Sequence, residues 1–392
     1  MPLSIPAVQR ALQEDGLDAW LLYDFRGSNP IARRLTGLDQ PGKMTTRRWY
    51  YLVPASGEPK KLVHAIEPYN LDHLPGTKTI YSQREKLASG LQQVLNGLKR
   101  VAMEYSPGNA IPYISRVDAG TVDAVRQLGV DVVSSGDLVQ RFEAIWSDEA
   151  LTTHRAASDR LYRIKDRAFA LVREACQHSR PLSEIDVQQA MVRWFDEEGL
   201  VTDSPPVVAV QENAGNPHYM PSTEKPRAIG TGEVVLLDLW GKLPDPGAVF
   251  ADITWVGYTD ARVPDRYTAA FEAARDARDA AVALVKDAAT AGRELRGFEV
   301  DRACRAVIER AGFGTQFIHR TGHSLGTEVH GNGVHMDDYE THDERRIIPG
   351  TGFTIEPGVY GPEFGVRTEI NMYVGQREAI VTGPLQNEFV RL

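Results

Sequence analysis

The feature that most constrains the fold of this chain is a unit of two helices and one β-hairpin that occurs twice after residue 147. Apolar residues at helical spacing, capping residues and terminal glycines delimit the helices, while apolar runs around turns with Gly and Pro delimit the hairpins. In chain order the elements are helices 148–178 and 184–198 with hairpin 233–258, then helices 265–289 and 298–311 with hairpin 351–374. The second helix has Ser183 as its N-cap and ends at Gly199. This duplication predicts two similar halves related by a pseudo-twofold axis.

The two hairpins also match in their chemistry, because each carries two acids at nearly the same spacing. In the first hairpin an apolar run leads to Asp238, and Asp252 follows 14 positions later. In the second hairpin an apolar run leads to Glu356, and Glu369 follows 13 positions later. Paired strands bring such residues close together. Two hairpins that meet at a pseudo-twofold axis would therefore gather four carboxylates at one place.

This gathering of acids favours a metal site over a solvated surface. A single acid at the end of a strand is most often solvated, but these acids adjoin strongly apolar residues at repeated positions. Burying carboxylates without partners would cost several kcal/mol each. A fifth candidate ligand, His323, lies in a segment flanked by Gly322 and Gly326. Four carboxylates and one neutral imidazole suit a pair of divalent cations.

The first 146 residues have a different pattern, in which short apolar strands alternate with amphipathic helices. The predicted strands are 17–23, 49–53, 61–64, 101–105 and 130–133, and the predicted helices are 85–98 and 121–128. This pattern predicts an α/β domain, and it contains no evident catalytic cluster. We therefore expect two domains, 1–146 and 147–392, of which the second carries the chemistry, and the length of 392 residues fits this division.

Charge, cysteine content and hydropathy limit the partners and the compartment. The net charge of −9 argues against nucleic acid or an anionic membrane surface as a partner. Cys176 and Cys304 are far apart in sequence, so we expect no disulfide framework and a reducing, cytoplasmic compartment. The N-terminal residues lack the features of a signal peptide, and no apolar run reaches the roughly 18 residues of a membrane-spanning helix.

Three segments of the second part resemble the motifs of the pita-bread metallopeptidases, the family of aminopeptidase P, prolidase, methionine aminopeptidase and creatinase. The segments are 317–330, 354–360 and 365–369. The first part resembles, in its architecture, the N-terminal domain that creatinase, prolidase and aminopeptidase P carry. The resemblance implies an α/β creatinase-like N-terminal domain and an α+β pita-bread catalytic domain with an internal pseudo-twofold repeat. The sequence contains neither a His-Glu-x-x-His helix nor a Gly-x-Ser-x-Gly elbow, which weakens those rival mechanisms.

The resemblance also implies a role for each residue that matches a family motif. The ligands of two divalent metal ions would be Asp238, Asp252, His323, Glu356 and Glu369. The further residues that line the pocket would be His218, His319, His330 and Arg367. Asp252 and Glu369 would bridge both ions, and Glu356 would also act as the general base for a hydroxide that the ions share.

The activity that the resemblance implies is metal-dependent hydrolysis of Xaa-Pro peptide bonds in a homodimer. Because carboxylates dominate the ligand set, Mn²⁺ is the expected metal, with Co²⁺ or Zn²⁺ as alternatives. The expected substrates are proline-containing dipeptides, as for a prolidase. The alternatives are an aminopeptidase P that acts on longer peptides, a non-peptidase hydrolase or lyase of the same fold, and a binding protein without catalysis.

The sequence departs from the family pattern in three places, all of them in the first hairpin. Residues 242–247 lengthen the turn between the two aspartates, and Trp255 stands where the family often has an arginine. Leu239 and Trp240 follow Asp238 in place of a tighter glycine turn. These departures keep all five candidate ligands and bear on the shape of the pocket.

Overall fold

The computed structural model describes residues 3–40, 42 and 44–392, and it divides the chain into two compact units, Met1–Glu143 and Ala144–Leu392. This division falls three residues before the boundary proposed from the sequence. Each unit contains its own clusters of buried apolar side chains. Among the described residues, none of the helices is both long enough and apolar enough to cross a bilayer.

The N-terminal unit is a mixed six-stranded sheet with helices packed on both faces. Its strands are β1 (Ala19–Asp24), β2 (Trp49–Pro54), β3 (Lys60–His64), β4 (Thr77–Tyr81), β5 (Arg100–Met103) and β6 (Asp131–Ser134). Its helices are α1 (Ile5–Glu14), α2 (Pro30–Thr36), α3 (Arg84–Leu95), α4 (Ala119–Arg126) and α5 (Gly136–Glu143). The strand order is β4-β3-β2-β1-β5-β6, and β2 runs antiparallel to both of its neighbours.

Burial of the central strand β1 on both faces explains why the sequence of this unit contains continuous apolar runs. Trp20 and Leu22 belong to the apolar cluster on one face, whereas Leu21 and Tyr23 belong to the cluster on the other. Both faces are covered, so the strand does not alternate between apolar and polar residues.

The C-terminal unit contains long helices and three small sheets. Its helices are α6 (Asp148–Gln177), α7 (Glu184–Glu198), α8 (Asp265–Ala291) and α9 (Gly297–Arg310). Its first strands are β7 (Val207–Val210), β8 (Val234–Gly241), β9 (Ala251–Tyr258), β10 (Ser324–Leu325) and β11 (Gly352–Ile355). The remaining strands are β12 (Gly358–Tyr360), β13 (Gly365–Arg367), β14 (Ile370–Val374), β15 (Ala379–Val381) and β16 (Val390–Arg391).

The duplicated unit predicted from the sequence is visible as two four-stranded sheets with matching order. The first sheet is β16-β9-β8-β7 and the second is β10-β11-β14-β15. In both sheets a hairpin of two antiparallel strands is extended by the strand that precedes it in the chain. Helices α6 and α7 supply the core of the first sheet, and the apolar side chains of α8 and α9 lie in a second cluster with those of the second sheet.

The second hairpin differs from the single hairpin predicted over residues 351–374. Strand β11 pairs with β14, but the residues between them form a separate two-stranded ribbon of β12 and β13. Pro357 lacks a backbone N–H, and it follows Glu356 at the point where the first pairing stops. As a result Glu356 and Glu369 lie just beyond the last pair of the ladder, Ile355 and Ile370.

Helix α7 shows how local sequence sets the ends of these elements. Ser183 and Asp186 form a reciprocal capping box at its start, as the predicted N-cap at Ser183 requires. Gly199 ends the helix with φ of 65°, a left-handed conformation that favours glycine. This fixed end directs the chain into the segment that leads to β7.

A buried acid in the N-terminal unit makes the stability of that unit depend on pH. Glu104 follows β5 and accepts hydrogen bonds from Trp20 Nε1 (2.7 Å), Asn29 Nδ2 (2.8 Å) and Ser135 Oγ (3.1 Å). Burial raises the pKa of Glu104 to about 7, although these donors oppose the shift. The native state therefore keeps a proton on Glu104 over a pH range in which the unfolded chain has lost it. This contribution to stability is complete below the unfolded pKa and is lost as pH rises through about 7.

We predict that Glu104→Gln flattens the decline in unfolding free energy of the N-terminal unit between roughly pH 5 and pH 8. Glutamine stays neutral, so the variant loses the pH dependence even where its absolute stability is lower. Urea unfolding at several pH values, followed by tryptophan fluorescence, measures the slope. Glu85→Gln, at an exposed position of α3, is the control and should keep the wild-type slope. An unchanged slope in Glu104→Gln would contradict the assignment.

Candidate metal centre

The five residues predicted as metal ligands converge in the C-terminal unit, and we call this group the acidic centre. It consists of Asp238 on β8, Asp252 on β9, His323 before β10, Glu356 after β11 and Glu369 before β14. Ligand atoms of Asp252, His323 and Glu369 all lie within 4.8 Å of one another. The two sheets thus each present their acidic residues to one place.

His323 has the hydrogen bonding expected of a metal-binding imidazole. Its Nδ1 faces the carbonyl oxygen of Ser324 at 3.2 Å and must donate the proton, which leaves the lone pair on Nε2. Nε2 lies 3.5 Å from Asp252 Oδ2 and 3.6 Å from Glu356 Oε1. Burial lowers the pKa of His323 to about 4, so the ring is neutral near pH 7. A lone pair that faces two carboxylate oxygens is repelled by them unless a cation or a proton lies between, so this arrangement suits a metal ligand.

Asp238 and Glu369 are joined through Thr254 on β9. The Thr254 hydroxyl lies 2.7 Å from Glu369 Oε2 and 3.2 Å from Asp238 Oδ1. The backbone N–H of Glu369 donates to the Thr254 carbonyl at 3.1 Å, which ties the second hairpin to the first. A second tie is the side chain of Asn371, which accepts from the N–H of Asp252 at 3.0 Å and donates to its carbonyl.

The electrostatics of the acidic centre show that it has too little positive charge to balance its acids. Burial raises the pKa of Asp252, and the charge of Asp238 raises it further. Burial also raises the pKa of Glu369 and of Glu356, and the charge of Asp252 adds to both shifts. In the part of the chain that the structure describes, Asp252 Oδ1 and Glu369 Oε1 are buried without a hydrogen-bond partner. Divalent cations would supply both the missing charge and the missing partners, so the donor set fits them.

Arg367, at the end of β13, is a basic side chain in direct contact with these acids. Its guanidinium forms a buried ion pair with Asp238 and donates to Thr254 Oγ1 at 2.9 Å and to the Tyr360 hydroxyl at 3.2 Å. Charge-assisted hydrogen bonds of this kind fix the orientation of the Asp238 carboxylate.

His319 is placed differently from a residue that is free to bind substrate, because both of its ring nitrogens have protein partners. Nδ1 faces the Arg320 carbonyl at 2.7 Å and therefore carries the proton. Nε2 then accepts from the Tyr360 hydroxyl at 2.7 Å. Burial lowers the pKa of His319 to about 3, which keeps this pattern stable at neutral pH. His319 thus orients Tyr360, whose oxygen also contacts Arg367.

The two remaining predicted histidines, His218 and His330, are both exposed. The His330 ring packs edge-on against His323, with ring centroids 4.4 Å apart. Surrounding protein lowers the pKa of His330, and the charge of Arg320 lowers it further.

Sequence reasoning did not identify the two side chains of α9 that hold residues 319–321, the segment that leads to His323. Asp301 on α9 accepts from the Thr321 N–H (2.9 Å) and hydroxyl (2.7 Å), and Arg305, one turn later, donates to the His319 carbonyl (2.8 Å). The signal was an Asp-Arg pair at i,i+4 on an amphipathic helix, which ordinarily indicates a surface ion pair. The contacts to residues 319–321 become visible only in the folded chain.

The loop that carries His218 has a similar brace on α7. Glu184 is buried, and it accepts from the Val210 N–H at 2.6 Å, from Asn213 Nδ2 at 3.0 Å and from the Tyr219 hydroxyl. Tyr219 directly follows His218, so this network limits where the imidazole can lie.

Comparison with known proteins gives one family match and many relatives. The model of metallopeptidase family M24 matches residues 154–376. A Xaa-Pro dipeptidase of Lactobacillus delbrueckii subsp. lactis is 32% identical over 209 residues, which are 51% of this chain and 49% of that protein. A putative Xaa-Pro aminopeptidase of Mycoplasma pneumoniae is 29% identical over 180 residues, 45% of this chain and 46% of that protein. The chain thus spans about half the length of these curated relatives.

A solved structure extends the similarity in fold to nearly the whole chain. Dipeptidase PepE from Mycobacterium ulcerans superposes with a TM-score of 0.67 at 22% identity, covering 98% of this chain and 96% of that one. Together with the family match, this similarity confirms the fold class predicted from the sequence motifs.

We predict that Asp252→Asn stabilises the metal-free protein and removes its response to metal. After treatment with EDTA, the variant has lost one buried charge that its neighbours repel, so its unfolding midpoint should exceed that of the wild type. A bound ion stabilises the wild type by about 2.7 kcal/mol at 100 times its dissociation constant. Thermal unfolding with and without Mn²⁺ measures both effects.

The matched control is Asp260→Asn, which makes the same substitution at an exposed position just after β9. It should behave as the wild type in both conditions. Equal stabilisation of Asp252→Asn and the control by Mn²⁺ would contradict metal binding at the acidic centre.

Proposed function

Because the chain belongs to metallopeptidase family M24, we propose that it hydrolyses Xaa-Pro peptide bonds, as a dipeptidase, with two divalent metal ions at the acidic centre. The observation that carries the proposal is the convergence of Asp252, His323 and Glu369 within 4.8 Å, with buried carboxylate oxygens that lack protein partners among the described residues. The name Xaa-Pro dipeptidase belongs to the Lactobacillus relative, and its extension to this chain is part of the proposal.

The acidic centre supplies the ligands in this proposal. Asp238, Asp252, His323, Glu356 and Glu369 would hold the two ions. Because carboxylates dominate this set, Mn²⁺ is the proposed native metal, with Co²⁺ and Zn²⁺ as substitutes in vitro. When bound, the ions supply Lewis-acid activation of a water molecule and of the scissile carbonyl.

Proton transfer falls to Glu356 in this proposal. Its Oε1 lies 3.2 Å from the Thr354 hydroxyl and faces His323, so the carboxylate is oriented into the acidic centre. As general base it accepts a proton from the attacking water and delivers this proton to the proline nitrogen when the peptide bond breaks.

The remaining residues bind and orient the substrate. His218 and His330 are exposed, and in this proposal their imidazole N–H groups donate hydrogen bonds to the oxyanion or to the peptide termini. His319 acts differently, since it holds Tyr360 and through it the guanidinium of Arg367. Arg367 in turn fixes Asp238.

We predict that the Mn²⁺-loaded protein hydrolyses Ala-Pro faster than the tripeptide Ala-Pro-Ala, and that Glu356→Gln lowers kcat about a hundredfold or more. Peptide assays with measured metal content test both statements. Glu363→Gln is the matched control, because Glu363 is exposed in the turn between β12 and β13. Circular dichroism should show the same fold for both variants.

Each other outcome selects one of the alternatives. Faster cleavage of the tripeptide would favour an aminopeptidase P. Bound metal without hydrolysis of either peptide would favour a non-peptidase hydrolase or lyase of the same fold. Absence of both metal and turnover would favour a binding protein, and near-normal activity of Glu356→Gln would remove the assigned base.

We further propose that the protein is a homodimer, on the basis of exposed apolar side chains at one end of the strands β1, β2 and β3. Strands β1 and β3 both run antiparallel to β2, so they end where β2 begins. Phe25 follows β1, Met44 precedes β2, and Ile66 and Tyr69 follow β3, and all four side chains are exposed. Apolar groups gathered in this way favour burial against a second copy.

Light scattering after gel filtration should give about twice the chain mass of 43.4 kDa. The double substitution Met44→Glu and Tyr69→Glu places charges among these apolar side chains and should shift the mass toward that of one chain. Leu128→Glu is the control, because it adds a charge at an exposed apolar position of the same unit that lies outside this group of side chains. A monomeric wild type would refute the proposal.

A cytoplasmic location is also proposed. Cys176 and Cys304 are both free thiols in the structure, as expected in a reducing compartment. Fractionation of the source cells checks this location, and recovery outside the cytoplasm would contradict it.

A further inference from the structure

Arg278 is a fully buried arginine on α8, and its side chain joins two segments that are distant from each other in the sequence. Its neighbours on the buried face of the helix include the small residues Ala274 and Ala281, which leave room for a long side chain. Nη1 of the guanidinium donates to Thr368 Oγ1 at 2.9 Å and to the Gln386 carbonyl oxygen at 2.7 Å. Each terminal guanidinium nitrogen carries two hydrogens, so these two bonds use both hydrogens of Nη1.

Thr368 connects this arginine to the candidate ligand Glu369. The side chains on either side of Thr368, those of Arg367 and Glu369, both contact the Thr254 hydroxyl, at 2.9 Å and 2.7 Å. The Thr368 side chain instead contacts Arg278 on α8. The backbone that carries Glu369 is therefore held by contacts to α8 as well as to β9.

Gln386 connects the same arginine to strand β9. Its side-chain oxygen accepts from the Val256 N–H at 3.0 Å, and its Nε2 donates to the Val256 carbonyl at 2.6 Å. A carboxamide has the same donor and acceptor as a peptide group, so the buried Gln386 side chain bonds to β9 as a neighbouring strand would. Val256 lies two positions from Thr254 and four positions from Asp252 on this strand.

These contacts form a closed circuit that includes one of the two acids proposed to bridge the metal ions and lies next to the other. The members of the circuit, in order, are Arg278, Thr368, Glu369, Thr254, Val256 and Gln386. Asp252 lies on the same strand as Val256, and its ligand oxygen lies within 4.8 Å of that of Glu369. A closed set of hydrogen bonds resists changes in the distances between its members, so it fixes Glu369 relative to Asp252.

Arginine suits this position because its donors have a fixed geometry. The guanidinium is planar and its N–H groups point in set directions, whereas a lysine ammonium is a compact charge on a flexible chain. Asp279 balances the charge of Arg278, since its Oδ1 accepts from Nε at 2.9 Å and lies 2.8 Å from Nη2. The remaining terminal nitrogen, Nη1, is left to bond within the circuit.

We propose that Arg278 is a positioning residue that sets the separation of Asp252 and Glu369, and so allows two divalent ions to bind together at the acidic centre. It acts through Thr368 and Gln386 rather than by contact with an ion or with substrate. The inference rests on the proposed function, because the ions that it concerns are those proposed for the acidic centre.

Mn²⁺ binding to the wild type, Arg278→Lys and Thr368→Val tests the inference. Titration calorimetry gives the affinity for each of the two ions, and electron paramagnetic resonance shows whether the bound ions are coupled through shared ligands. Arg278→Lys keeps the charge but loses the fixed donors. It should weaken binding of the second ion about tenfold, as loss of a group that orients metal ligands does, and should weaken the coupled signal. Thr368→Val removes only the hydroxyl that Arg278 binds, and should give a smaller loss of both.

Two controls separate positioning from general damage to the fold. Arg266→Lys makes the same substitution at an exposed position of α8. Tyr162→Phe removes a hydrogen bond of 3.1 Å to the Pro384 carbonyl, in the C-terminal segment that also carries Gln386, but leaves the circuit intact. Both controls should bind Mn²⁺ as the wild type does, even if Tyr162→Phe lowers the unfolding midpoint.

The outcomes distinguish this inference from the proposed function. If the wild type binds a coupled pair of ions and Arg278→Lys and Thr368→Val bind it equally well, the inference is overturned and the proposed function stands. If Arg278→Lys does not fold, Thr368→Val decides alone. If the wild type binds no coupled pair, the proposed metal site fails and the inference fails with it. A wild type that binds the pair but cleaves no Xaa-Pro peptide refutes the proposed activity alone, because the metal measurements still test the inference.

Discussion

The structure depends on one electrostatic constraint, the gathering of four carboxylates, two of them buried and two partly buried, with too little positive charge around them. Arg367 compensates Asp238, but burial and mutual repulsion still raise the pKa of Asp252, Glu356 and Glu369. Bringing these acids together costs folding free energy unless cations bind between them. Contacts with the surrounding protein must therefore stabilise the acidic centre. Hydrogen bonds around the acidic centre supply part of this stabilisation. They hold each acid and the single imidazole in a fixed orientation that suits metal ligation.

The duplicated architecture is what makes that orientation possible. Each half contributes one hairpin with two acids, and Thr254 and Asn371 join the hairpins by direct hydrogen bonds. Helices α7 and α9, which are equivalent in the two halves, hold the loops that carry the histidines. Asp301 on α9 holds the segment before His323, and Glu184 on α7 holds the loop of His218. Rigid elements therefore position the loop residues, as precise binding of a small substrate requires.

Much of this arrangement could be predicted from the sequence, because local signals carry it. Periodicity and capping residues located the long helices, and Ser183 and Gly199 mark the ends of α7 as expected. The acids were identifiable because duplication repeats them beside apolar strands. The structure brings these predicted ligands together, while their roles remain proposals. What escaped prediction depends on contacts between distant residues. The β12–β13 ribbon, the engagement of His319 by Tyr360 and the bond from Arg278 to Thr368 each join segments that no local pattern connects.

The central claim is that the acidic centre is a dinuclear metal site, and anomalous diffraction from crystals grown with Mn²⁺ tests it most directly. The account predicts two anomalous peaks at the acidic centre, each within bonding distance of carboxylate oxygens and one of them bonded to His323 Nε2. Peaks at other positions, or none at saturating Mn²⁺, would contradict it.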